Sequence, residues 1–161
     1  MAWVKGEITL QDCRELATRL RDEDRKEVLA SKPDKDIVDS LYNCKEVSYK
    51  HFAVMEEGLG CIAIFGIRKW VPENGRPIGV PWFLCSEDLF NKSCRAFIRQ
   101  CKDYLKEMTD DFYYCFNYVA TSNTKAHHWL KWMGFTINKT ETRTLNGVEF
   151  YPFIYLRNDN V

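Results

Sequence analysis

Residues 116–135 read FNYVATSNTKAHHWLKWMGF, and this stretch decides the fold. Its first part closes an aromatic run, Phe112 to Val119, whose residue types favour a strand. Asn123 is a preferred helix N-cap, worth about 1 kcal/mol over Ala. At ~100° per residue, Ala126, Trp129, Leu130 and Met133 fall on one inner face of the helix that follows. His127 lies on the flank towards Leu130, whereas His128 points away beside Trp132. Gly134 fits a C-terminus that needs a left-handed residue. The reading is strand, turn, capped helix, abrupt stop.

Working outward, the segment before it, Phe90 to Met108, carries Phe90, Cys94, Phe97, Ile98, Cys101, Leu105 and Met108 in one apolar stripe. This predicts a long helix led in by SEDLFNKS. Ahead of that helix, Val80 to Cys85 and Cys61 to Ile67 are continuous apolar runs and predict strands buried on both faces. Val47 to Met55 predicts the hairpin partner of the second run, across the turn EEGLG. Pro72 to Gly79 is a loop rich in Gly and Pro. Trp3 to Ile8 predicts an opening strand. Thr9 and Asp12 predict a capping box for one helix running from Leu10 to about Ala30. The charged run RDEDRKE within it is expected to form a solvated face. Pro33 is placed in the first turn of a second helix, with Ile37, Val38, Leu41 and Tyr42 inward. After the quoted stretch, FTINKTETRTL and VEFYPFIYL flank Asn146-Gly147, a strong hairpin signal.

The order is β-α-α-β-β-β-α-β-α-β-β. Its strand–helix–strand crossover predicts an α/β (α+β by some schemes) fold, a mixed, mostly antiparallel sheet with helices on both faces. The length of 161 residues suits one domain, 1–161. Lys plus Arg and Asp plus Glu balance at 23 each, so bulk charge does not favour nucleic acid. No apolar run reaches the ~20 residues that a membrane span needs, and the N-terminus carries no signal-peptide core. Seven Cys without a C-x-x-C pair read as reduced, buried thiols, and no metal-ligand spacing occurs.

This order resembles the GNAT-type N-acetyltransferase fold over almost the whole chain. VPWFLC with FNKSCRAFIRQC occupies the place of that family's phosphate-binding loop and long helix. Asn123-x-x-Ala126 followed by Gly134-Phe135 matches its second motif. The resemblance implies a twisted GNAT-like sheet of about seven strands. A narrower resemblance also holds. GVPWFLCSEDL, a Lys/Arg-dotted helix and NYVATSNTKAHHWLKWMGF are similar to the GNAT-like internal virion protein A family of short-tailed bacteriophages. It implies a role in virion morphogenesis in the host bacterial cytoplasm or the virion, with other phage virion or assembly proteins as partners. A homo-oligomer stays open.

Two functions follow. GNAT enzymes carry glycines at the start of the long helix, where backbone N–H groups meet a pyrophosphate. Here Leu89 to Cys94 contains none. Their motif helix commonly places a Tyr acid four residues before the Gly, where this chain has Leu130. These departures suggest a catalytically degenerate protein, with no cofactor, that acts through protein contacts. The outward His128 and Trp132 are then the partner-binding candidates. The alternative is an acyl-coenzyme A-dependent N-acetyltransferase using acetyl-CoA. By resemblance Asn123 then meets the pantetheine arm, and Lys92 and Ser93 meet the phosphates. His127 serves as substitute acid or base, and Glu87 serves as base on the amine. No metal is expected in either case. Trp82, near the end of its strand, is expected to fill the coenzyme groove.

Overall fold

The computed structural model describes residues 1–91 and 94–157. In chain order the elements are β1 (Ala2–Lys5), α1 (Leu10–Ala17), α2 (Asp22–Ser31), α3 (Ile37–Glu46), β2 (Lys50–Glu56), β3 (Gly60–Trp70) and β4 (Ile78–Cys85). A short 3-10 turn at Glu87–Phe90 precedes α4 (Arg95–Thr109), β5 (Tyr114–Ala120), α5 (Thr124–Met133), β6 (Thr136–Ile137), β7 (Arg143–Leu145) and β8 (Val148–Leu156). One eight-stranded sheet runs β1-β2-β3-β4-β5-β8-β6, with β7 also on β8. Every pairing is antiparallel except β4 with β5, the pair joined by the α4 crossover. The mixed, mostly antiparallel sheet read from the sequence is present. Among the described residues no helix is long and apolar enough to cross a membrane.

Two apolar layers hold the helices to the sheet. On one face Cys13, Leu16, Val28 and Leu41 of α1–α3 pack on Ala53, Cys61, Ile64 and Leu84. On the other, Phe97, Cys101 and Met108 of α4 meet Phe65, Ile67 and Cys115, and α5 continues that layer through Met133 and Trp129. Of the seven thiols six are buried and Cys44 is half-buried. Burial pushes Cys13, Cys61, Cys101 and Cys115 up to about 12.

Local chemistry sets several element ends. Thr9 Oγ1 accepts from the Asp12 N–H at 3.1 Å and Asp12 Oδ2 accepts from the Thr9 N–H at 2.8 Å, completing the capping box. Asn123 caps α5 through the Ala126 N–H, and Gly134 ends it with φ of 103°. Asn146 and Gly147 both take positive φ in the β7–β8 turn.

The helix expected from Leu10 to about Ala30 is in fact two. Residues 18–21 leave the helix, Leu20 bridges Ser86, and the Arg21 N–H donates to the Cys85 carbonyl at 3.0 Å. The end of β4 thus captures a segment that local propensity would have kept helical. Pro33 is likewise outside α3, which starts at Ile37 under an Asp36 cap. The strand expected over Val47 to Met55 begins later, at Lys50, because α3 runs to Glu46 and Val47 is its C-cap. The opening strand stops at Lys5, and Ile8 is buried in the core beneath α1. FTINKTETRTL forms two short strands, not one.

Candidate active site

The parallel pair β4–β5 is joined only over Ile78↔Tyr114 and Gly79↔Cys115. Beyond that point the strands splay. Gly79 lets them close where they do meet: a Cβ there would lie 2.6 Å from Ile67 Cδ1 and 2.8 Å from Cys115 Sγ. Further on, Asn117 Nδ2 donates across the gap to the Pro81 carbonyl at 2.8 Å. A cleft of about 650 Å³ fills the splay and reaches both sides of the sheet.

The β4 backbone faces this cleft in a regular way. The Cys85 N–H and C=O point away from β3, bonding Asp24 Oδ2 at 2.8 Å and the Arg21 N–H at 3.0 Å. The Pro81 carbonyl points the same way. Strand alternation therefore turns the N–H and C=O of Phe83, midway between them, into the cleft. Pro81 is tolerated because its missing N–H would have faced the gap and not β3.

At the open end lies a polar network built on α2. The Arg21 guanidinium donates to Glu87 Oε1 at 3.1 Å, Asp24 Oδ1 at 3.0 Å and Asn123 Oδ1 at 3.1 Å. Asn123 Nδ2 donates to Glu27 Oε1 at 3.2 Å, which also accepts from the Ala120 N–H at 2.7 Å. Burial pushes the Glu27 carboxyl up to about 7, against the pull of the Ala120 and Asn123 donors. Asp24 is also raised by burial, which the Cys85 N–H and Arg21 oppose. Asp24 and Glu27 line the cleft. So does Cys85, but burial and then the Asp24 charge hold its thiol well above the usual range, so it is no nucleophile.

The residues singled out from the sequence are distributed around this site. Asn123 lies beneath the cleft, buried, with both amide ends engaged inside the protein. Glu87 sits at the rim, bridging Arg21 and Lys125, whose Nζ is 2.7 Å from Glu87 Oε2. The Lys125 hydrogen bond holds the Glu87 carboxyl below its usual range, with Arg21 assisting. His127 is not brought to the cleft. It is buried on the far side of α5, with Nε2 2.9 Å from the Ala120 carbonyl oxygen and its ring 5.8 Å from that of Tyr151. Lys92 and Ser93 lie outside the described residues. His128 is exposed. Trp132 leans on Trp129 at 5.8 Å, with Lys102 Nζ 4.7 Å over its ring. Trp82 lines the cleft, but its indole is anchored on Ser48 Oγ at 2.7 Å, on the α1–α3 side. The rings narrowing the opposite side are Phe83 and Trp129, 5.7 Å apart. No group of His, Cys, Asp and Glu suited to a metal ion occurs among the described residues.

Arg21, Asp24 and Glu27 were hidden inside RDEDRKE, the run read as a solvated face. One signal could have found Asp24: it is spaced four residues from both Leu20 and Val28, in line with an apolar stripe.

The fold that forms this cleft also occurs in known structures. A GNAT-family acetyltransferase from Streptococcus pneumoniae superposes with a TM-score of 0.64 at 12% identity, over 98% of this chain and all of that one. The chain has the GNAT fold. Spermidine N-acetyltransferase from Vibrio cholerae, solved with CoA and spermine, gives 0.63 at 14% identity, covering 96% of this chain and 95% of that one. Ribosomal-protein-S5-alanine acetyltransferase from Vibrio fischeri gives 0.65 at 12% identity, covering 98% and 94%. No family model and no curated protein matches the sequence.

Proposed function

We propose that the chain is an acyl-coenzyme A-dependent N-acyltransferase working in the β4–β5 cleft. The observation that carries this is the coincidence, in one open cleft, of the inward Phe83 backbone groups and a Glu27 carboxyl titrating at about 7. The cleft suits an extended pantetheine arm, one amide N–H of which matches the Phe83 C=O and leaves the Phe83 N–H for the thioester. Arg95 and Arg99, exposed on successive turns of α4, offer charge for phosphates. The thioester supplies an activated acyl carbon and a stable leaving group.

Phe83 N–H donates to the carbonyl oxygen as it gains negative charge. Glu27 takes the proton that the amine gives up while the C–N bond forms and the C–S bond breaks. A carboxyl near neutrality is matched to that task. Leu130 supplies no hydroxyl to the departing thiolate. The loss is small in effect, because an ordinary thiol titrates at about 8.5 and leaves readily as the anion. Asn123 acts through Glu27 and Arg21, as a positioning residue.

A second reading, contact without catalysis in virion assembly, is favoured by Leu130 and by the Phe83–Trp129 pair narrowing the cleft. Its phage setting rests on the sequence resemblance, and His128 and Trp132 are its docking residues. Thermal shift with acetyl-CoA separates the two. A ligand at 100 times its dissociation constant stabilises by about 2.7 kcal/mol. We expect a rise in Tm together with amine-dependent release of free coenzyme, followed by chromatography. The absence of any shift at millimolar cofactor overturns the acyltransferase reading, and a shift with no release from any amine favours the second.

A further inference from the structure

Among the described residues five cationic side chains line the cleft, and they divide sharply by side. Arg21 and Lys125 are spent on Asp24 and Glu87. Lys32, Arg68 and Arg143 also line the cleft, and among the described residues none of them has a carboxylate within 4.0 Å. They come from three separate elements and converge on the half of the cleft that faces α1–α3. Arg68 pairs with Val80 in the β3–β4 register, on the face that carries Trp82 and Leu84. Lys32 caps the end of α2 and is tethered to Asn43 of α3. Arg143 enters from β7 with its guanidinium 5.7 Å over the Tyr118 ring. A guanidinium held over an aromatic face by cation–π attraction keeps its N–H donors for an oxyanion, which its fork can meet with two parallel bonds. Such bonds are the strong ones.

This half of the cleft is the remaining way in for an acceptor once a coenzyme occupies the α4–α5 side. A polyamine or another polycation would enter against three unneutralised cations. We infer that the acceptor is a primary amine that carries its own oxyanion, its nitrogen meeting Glu27 and its carboxylate or phosphate meeting Arg143, Arg68 and Lys32. The inference rests on the acyltransferase reading, and it names the acceptor class for that same site.

The test compares matched acceptors with acetyl-CoA: glycine, β-alanine and glutamate as carboxylates, O-phosphoethanolamine as a phosphate, and glycinamide, ethanolamine and spermidine as uncharged or cationic controls. The acids are expected to exceed their amides in kcat/KM, through KM. In Arg143→Gln and Arg68→Gln that ratio should fall about ten- to hundred-fold, the worth of one or two charged hydrogen bonds. A preference for phosphate over carboxylate within the acids identifies which oxyanion is native. Equal use of acids and amides, or a preference for spermidine, overturns the inference. Should no amine release coenzyme, the acyltransferase reading fails, and binding then decides the anion site separately. Calorimetry with N-acetylglycine against N-acetylglycinamide supports the site if only the acid binds and Arg143→Gln weakens it. Equal binding, or binding of neither, overturns it.

Discussion

The two ends of the β4–β5 seam are built by opposite means. At the closed end Gly79 meets Ile67, Cys115 and Phe112 with no room for a Cβ, and their apolar packing surrounds the backbone ladder. At the open end the same two strands are held apart by a buried ionic network, Arg21 with Asp24, Glu27 and Asn123. Apolar contact is short-ranged and brings strands to touching distance. Directional hydrogen bonds between charged groups hold a fixed gap, at the cost of desolvating those charges. A cleft that begins sharply and keeps its width needs both.

The largest expected effect concerns the open end. Glu27→Gln keeps the acceptor for the Ala120 N–H and removes the base, and should lower turnover with an amine by about 10²–10⁴-fold. In the unchanged protein the rate should rise as pH passes through about 7. Stability runs the other way. Below the ordinary value of 4.5 the carboxyl is neutral in folded and unfolded chains alike. Between 4.5 and about 7 the unfolded chain sheds the proton that the folded chain keeps, so stability is lost as pH rises through this window. Urea midpoints at the two ends of the window should diverge less in Glu27→Gln.

Arg21→Met comes next, since it leaves buried Asp24 without its cation and should cost about 3–5 kcal/mol in denaturant unfolding. The double variant Arg21→Met with Asp24→Asn removes both charges and still satisfies the Cys85 N–H, so it should recover part of that loss. At the closed end Gly79→Ala overpacks three fixed neighbours and should cost about 1–3 kcal/mol. If it costs nothing, the contrast between the ends fails. Lys125→Met gives the smallest change, under about 1 kcal/mol, because its pair with Glu87 is exposed and water-screened.

Much of this architecture was legible because it rests on local rules. The Thr9–Asp12 box, the Asn123 and Gly134 ends of α5 and the Asn146-Gly147 turn are each set by a few neighbouring residues, and each appears where the sequence placed it. The site was less legible. RDEDRKE has the composition of a solvated helix face, yet Arg21 and Asp24 are buried by the end of β4, a contact about 60 residues away that no local pattern encodes. His127 is instructive in the same way. Its position on the helix wheel was right to within a flank, but the bond to Ala120 that turns it from the cleft depends on where β5 ends.

The distribution of thiols has a practical consequence. They sit on α1, α3, β3, β4, α4 and β5, and those pushed up to about 12 are almost wholly unreactive while folded. Half-buried Cys44 should therefore react first with an alkylating reagent. Each later adduct, located by mass spectrometry, would time the local opening of its own element. The unmodified chain thus carries its own clock for the order in which the layers come apart.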